Sequence, residues 1–566
     1  VLDSSTTERR RVWGAIAVTL LVISLPYLWA ATMINQGMVY KGLLYNPDDQ
    51  NVHLAWAKQA SQGHFFFRDL FTTESLDNGE RPLFNNIFCF VLGITGAVTH
   101  IPLIWLYQAS RLFSTALALY VFYLLCCALT HDKRVRLVAL WLAALSSGTG
   151  WLQNLYPALF KHYLFIDRPD QSFPMMPEAF TFTSAYIFPL FIASIGLLAV
   201  IYLWTLKAQQ TGNLRYALGA GAAALILGNI HTYDGLPLTV TLLLWMLHSL
   251  LLRPAPNMND PENATTDATS INKPQQASWL APLLVILCAL VPIAWQWIVF
   301  RGSHEFSAKA LTKTPPPALF HILLSYGPLI LLAALGAVIT WREVRVRLMT
   351  LWAVVTLAFI YIPTSIFSFA RKMIEGVHLP LCFLAACGLV WLVARIPSQL
   401  IQRAILIAVV AISCISSGQF IIWTLHNAED NNTTRPGMLP PLYLMSGDAA
   451  ALQFLAQQTD PAQPQVVLCM PYIGNYVPRE TGMYAYNGHW AETLNQESKL
   501  DQVLRFYRGT MAEDEARTFL RANHIRYVFN GAYEKAIGGE SSSALSQQLK
   551  LPQIYANEGA AIYKVH

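Results

Sequence analysis

Apolar stretches recur along the first three quarters of this chain, most of them long enough to cross about 30 Å of hydrocarbon as a helix rising about 1.5 Å per residue. Such a pattern leaves few folding options. Inside a bilayer every backbone N–H and C=O must be satisfied within the protein, and long continuous apolar runs do this as helices. Of the 566 residues, 54% are hydrophobic and 13% charged, which excludes a soluble globular chain and any nucleic-acid-binding tract.

The distribution of Lys and Arg orients the spans. Arg9, Arg10 and Arg11 precede Val12–Met33, a run too long for a cleaved signal peptide and read as a retained first span leaving the cytoplasm. A long polar loop, residues 34–82, follows outside. Ile87–Val98 is short and is read as interfacial or re-entrant. The later spans are then Leu103–Leu129, Leu137–Tyr156, Ala185–Leu206, Tyr216–Ile230, Leu236–Leu252, Trp279–Phe300, Ala318–Thr340, Leu348–Phe367, Leu379–Val393 and Ala404–Leu425. About eleven spans result, with the N-terminus cytoplasmic and the C-terminus outside, because this count keeps most basic loops inside.

From His426 the chain turns polar. Residues 1–425 form the expected transmembrane domain and 426–566 a small extracytoplasmic α/β domain. Helical periodicity covers Asp448–Gln457, Leu500–Tyr507 and Glu513–Asn523; Val466–Met470, Tyr527–Phe529 and Ala561–Val565 read as strands. The eight cysteines show neither a disulfide framework nor a CxxC zinc pattern. No phosphate-binding glycine loop stands in a credible setting.

The first outer loop carries Tyr45-Asn46-Pro47-Asp48-Asp49, a turn followed by helix-like sequence from His53 to Gly63. Carboxylates here would cap that helix or perform chemistry at the membrane surface. An enzyme facing outward lacks access to nucleotide sugars and needs a donor that arrives activated, most simply on a lipid phosphate.

Four features together resemble the GT-C superfamily of membrane glycosyltransferases, which includes protein O-mannosyltransferases and bacterial aminoarabinose transferases. They are Asp48-Asp49; Arg81-Pro82-Leu83-Phe84, with one proline fewer than the aminoarabinose transferases; Arg111-Leu112-Phe113-Ser114-Thr115-Ala116-Leu117-Ala118, with Phe113 where that family has proline; and the polar domain after the last span. The likeness covers roughly the first 240 residues and beyond that only the architecture. It implies an all-α polytopic fold in a bacterial cytoplasmic membrane. It also implies transfer of a sugar, with inversion, from a polyprenyl-phosphate-linked donor to a glycan, lipid or protein acceptor.

The resemblance makes Asp48, or failing that Asp49, the general base. Arg81, Arg111, Arg371 and Lys372 are the candidate contacts to the donor phosphate. Arg111 lies within an apolar run, and Arg371 and Lys372 break the positive-inside pattern. Each has a structural alternative: Arg81 as a snorkelling side chain, Arg111 paired with a loop carboxylate, Arg371 and Lys372 with Glu375 or lipid headgroups. Asp167, Asp170 and Glu178 form a second outer acidic group, and His231, Tyr233 and Asp234 lie at a span end; His378 follows Glu375. No cofactor is expected. A divalent cation would have to use Asp49 and His53, four residues apart, with Glu178; the acidic-x-acidic triplet of the oligosaccharyltransferases is missing. Pro478–Gly482 and Asn487–Thr493 are polar and aromatic enough to bind a glycan or cap a site, or are ordinary loops. The rival functional class is a non-enzymatic lipid or glycan translocator, or an envelope-assembly scaffold.

Overall fold

The computed structural model describes residues 6–33, 37–79, 81–152, 176–251, 273–310, 312–432, 439–460 and 463–565. Among the described residues seven helices are long and apolar enough to cross a membrane: Thr6–Thr32, Leu103–Leu129, Pro189–Thr211, Thr232–Leu251, Trp279–Gly302, Ala370–Val393 and Gln399–Glu429. The chain is a multi-pass membrane protein. Leu319–Tyr326 and Pro328–Ile339 would make an eighth span, but they meet at 87° instead of running through as one helix. Gly327 makes the break with φ of 51°, a conformation that costs glycine little, and Pro328 then starts a new helix with no N–H to spare.

Among the described residues three other expected spans are covered by shorter helices, of 13, 17 and 16 residues. They are Lys133–Leu145, Leu214–Ile230 and Val344–Phe359. Ile87–Thr99, with 13 residues, reaches only about 20 Å, which fits its reading as a helix that does not cross.

The fold divides into two compact units. One comprises residues 1–24, 110–297 and 313–421 and is helical. Within it Pro328–Ile339 packs on His378–Val393 through Gly336 and Gly388. A Cβ on Gly336 would fall inside the Leu384 carbonyl, and one on Gly388 inside the Leu332 carbonyl. Lipid tails are as apolar as leucine, so close backbone approach at small residues, not hydrophobic exclusion, holds such a seam together.

The second unit gathers residues 25–109, 298–312 and 422–566. The change of unit at 421/422 lies close to the change to polar sequence, and the first outer loop shares its unit with the C-terminal region. Strand β1 (Met38–Tyr40) from that loop pairs antiparallel with β2 (Tyr443–Met445). The remaining strands, β3 (Val466–Leu468), β4 (Tyr484–Ala485), β5 (Ile525–Asn530), β6 (Gln553–Ala556) and β7 (Ala561–Lys564), form one sheet in the order β4-β3-β5-β7-β6. β3 is parallel to both β4 and β5; β7 runs antiparallel to β5 and β6. Side chains alternate as the strand period requires: Val466 and Leu468 enter one core with Val528 and Phe506, and Val467 enters the other with Phe529 and Ile562. The helices Ser446–Gln457, Gln496–Tyr507 and Glu513–Ala522 match the periodic segments read from sequence.

Candidate active site

Asn46 adopts a left-handed conformation (φ 48°) and is the N-cap of the helix Pro47–Ser61; its side chain makes no capping bond. Pro47 takes the first helical position, where a missing N–H costs nothing. Asp48 and Asp49 therefore stand in the first turn and neither is the cap. The unpaired N–H groups of that turn favour negative charge beside them.

The two aspartates are not equivalent. Asp48 is 2% exposed, whereas the Asp49 side chain is about half exposed. Asp48 Oδ2 accepts a hydrogen bond of 3.0 Å from the Trp490 indole N–H. Asp49 Oδ2 accepts from Asn46 Nδ2 at 2.5 Å, and its Oδ1 lies 3.2 Å from His489 Nε2. His489 Nε2 is also 4.0 Å from Asp48 Oδ2.

Hydrogen bonding sets the tautomer of His489. The backbone N–H groups of Ala491 and Glu492 both donate to Nδ1, at 3.0 and 3.1 Å, so that nitrogen carries a lone pair and the ring proton sits on Nε2, facing the aspartates. The ring is 1% exposed and packs edge-on against Phe71. The result is a carboxylate pair flanked by two aimed N–H donors, from an imidazole and an indole. Asn487–Thr493 was legible as a polar aromatic loop, but nothing in the sequence joins it to Asp48, which lies 442 positions before Trp490.

Trp490 also lines a cleft of about 560 Å³ with Lys309, Thr493, Asn495 and Glu497, within the range of small-molecule sites, about 300–1,000 Å³. Lys309 pairs with Asp69 at 2.7 Å and with Glu492. Nearby Glu305 accepts from the Ser75 N–H at 3.1 Å; burial, and then the charge of Asp69, push its carboxyl up to about 7. In the same unit Arg479, buried, donates to Asn51 Oδ1 at 2.9 Å and to the Lys41 carbonyl at 3.2 Å. Burial alone would raise the carboxyl of Glu480, but Arg479 and Lys41 outweigh it and hold it below its ordinary value. Lys309 and Glu305 carried no signal in the sequence, whereas Arg479 lies in the polar segment Pro478–Gly482.

Other sequence candidates sit elsewhere. His53 is hydrogen-bonded through Nδ1 to the Tyr107 hydroxyl at 3.2 Å. Arg81 is exposed on a loop. Arg111, 1% exposed, donates to the carbonyls of Ile23 at 3.3 Å and Ala185 at 3.1 Å. Pro189 has no N–H to offer Ala185 four residues before it, so the guanidinium takes over an orphaned helix acceptor.

Arg371 and Lys372 are half-buried, and the Lys372 ammonium lies 5.4 Å from the Tyr233 ring centroid. His378 is enclosed. Its Nδ1 accepts from the Thr181 N–H at 3.2 Å and its Nε2 faces the Ser146 hydroxyl at 3.2 Å, a satisfied core histidine. His231, Asp234 and Glu375 come together, with Nδ1 of His231 3.1 Å from Asp234 Oδ2 and 3.3 Å from Glu375 Oε2. Glu178 is buried on the short turn Pro177–Ala179. Asp167 and Asp170 lie outside the described residues.

No family model and no curated protein matches the chain. Solved structures do. The apo oligosaccharyltransferase of Archaeoglobus fulgidus aligns over 95% of this chain and 72% of its own, with TM-score 0.54 and 11% identity. ArnT of Cupriavidus metallidurans, crystallised with undecaprenyl phosphate, aligns over 97% of this chain and 98% of its own, with TM-score 0.53 and 11% identity. The chain has the GT-C fold. Apo ArnT aligns over 97% of this chain and 97% of its own, with TM-score 0.50 and 11% identity. A GT-C fold with 11% identity to these structures establishes architecture, and function has to be argued from the site.

Proposed function

We propose that the protein is a glycosyltransferase that takes a sugar from a polyprenyl-phosphate donor and passes it to an acceptor hydroxyl, with Asp48 as general base. The observation that carries the reading is the pair Asp48 and Asp49 at a helix N-terminus with the indole of Trp490 and the Nε2–H of His489 aimed at them. The GT-C fold supports it, and the undecaprenyl phosphate bound by ArnT supports the donor class.

In the reaction, a carboxylate oxygen of Asp48 takes the acceptor's proton while the acceptor oxygen attacks the anomeric carbon. The bond from that carbon to the phosphate oxygen breaks on the opposite side, polyprenyl phosphate leaves, and the anomeric centre inverts. Trp490 holds one oxygen of Asp48, and His489 fixes Asp49, so that the two carboxylates keep distinct roles. The cleft beside Trp490 is the candidate acceptor site. Arg81, Arg371 and Lys372 remain candidate anion contacts, and Arg111 is assigned a structural role. The active face is taken to be extracytoplasmic, from the charge of the loops.

The test is sugar transfer from a synthetic polyprenyl-phosphate donor by purified wild-type protein and by Asp48→Asn. Undiminished transfer by the variant would remove Asp48 as the base. Loss in Asp49→Asn alone would move the role by one residue.

A further inference from the structure

Beyond the Asp48 site, the helical unit holds a second cluster: His231, Asp234 and Glu375 are 7%, 2% and 2% exposed. The sequence brings the first two together by a short helical turn, Thr232–Asp234. Glu375 arrives from the end of the turn Ala370–Ile374. Their ligand atoms lie within 4.8 Å of one another.

Hydrogen bonding does not account for the arrangement. Both oxygens of Asp234 and both of Glu375 are buried and accept no hydrogen bond. The Ser194 hydroxyl stands beside Glu375, but it donates its hydrogen to the Leu190 carbonyl, 3.0 Å away. Among the described residues the ion-pair partner of both carboxylates is the same nitrogen, Nδ1 of His231, at 3.1 and 3.3 Å. One imidazole carries at most one positive charge, so with both acids ionised uncompensated negative charge would remain in a buried place, at a cost of several kcal/mol per ion. Glu178 adds its field to Glu375.

The spacing suits a different occupant. Ligands bound to one zinc ion at about 2.0–2.1 Å in a tetrahedron stand about 3.3 Å apart. The two separations from Nδ1 are 3.1 and 3.3 Å. One imidazole and two carboxylates are a donor set for zinc or manganese, and three protein ligands leave a coordination position open. We propose that His231, Asp234 and Glu375 bind a divalent transition-metal ion. The site differs from the Asp49, His53 and Glu178 set read from the sequence. It neither requires nor excludes Asp48 as the base.

Full-length protein in detergent, stripped with chelator and titrated with zinc or manganese, tests this by elemental analysis after gel filtration. About one ion per chain is expected, with magnesium competing poorly. Asp234→Asn and Glu375→Gln should each raise the metal dissociation constant about tenfold or more, while Asp48→Asn leaves it unchanged. Cobalt in place of zinc should give visible absorption that His231→Gln abolishes. Absence of saturable binding to the wild type overturns the proposal whatever the variants do. So does wild-type affinity in a well-folded Asp234→Asn, or loss of the ion in Asp48→Asn.

Discussion

Two acidic clusters among the described residues solve the problem of concentrated negative charge in opposite ways. Around Asp48 and Asp49 the protein supplies donors of its own: an indole N–H, an imidazole N–H and the amide of Asn46. Around Asp234 and Glu375 it supplies one imidazole nitrogen and aromatic walls, Phe191 and Tyr233 edge-on to His231. Fixed dipoles can stabilise a carboxylate and still leave it able to take a proton. A cluster without donors can hold its charge only with help from a bound cation or by protonation. Similar residue types therefore point to a base in one place and to a ligand set in the other.

The contrast breaks most easily at Asp48. Asp48→Asn should lower transfer by about a thousandfold, the middle of the usual range for a general base, with a melting temperature near wild type; a folded variant that keeps its rate would reduce Asp48 to a capping-turn residue. Next in size is a stability effect of opposite sign. In chelator-stripped protein Asp234→Asn should stabilise by about 2 kcal/mol, because it removes a buried charge that lacks a donor. A fall in melting temperature under those conditions would mean that the protein itself compensates Asp234. Trp490→Phe keeps the ring but loses the N–H, and kcat should drop about tenfold, the worth of one hydrogen bond to a charged group. Unchanged kcat would leave the indole as packing.

The smallest effect concerns Glu305. Its carboxyl is held up to about 7 from an ordinary 4.5 by burial and then by Asp69, so the folded state binds this proton more tightly than the unfolded chain does. The associated stability is fully present below 4.5 and is lost as pH rises to about 7. Melting curves across that window should decline in the wild type and lose that part of the slope in Glu305→Gln. Parallel slopes would show that the acid pair of Glu305 and Asp69 does not govern this range.

What the sequence disclosed follows the range of the physics involved. Local patterns were legible: Val466–Leu468, Ile525–Asn530 and Ala561–Lys564 are strands where short apolar runs placed them, and Asp48 was marked by its turn and its resemblance. The break at Gly327 passed unnoticed, because an apolar run reads the same whether its helix is straight or bent by 87°. His489 and Trp490 were visible as a loop but not as partners of Asp48, and Lys309 was not visible at all. Those contacts depend on tertiary folding over hundreds of residues, which leaves no periodicity to read. Arg111 was conspicuous for being buried and charged, yet its bond to the carbonyl that Pro189 leaves unpaired could be seen only once the helices were placed.

Gly336 and Gly388 bring two helix backbones into direct contact. A seam of this kind has no side-chain cushion, so it cannot absorb a change of distance by swapping rotamers. Pro328–Ile339 and His378–Val393 are thereby tied into one mechanical plate, and any bending along this part of the chain is displaced to its margin, where Gly327 has already turned the corner.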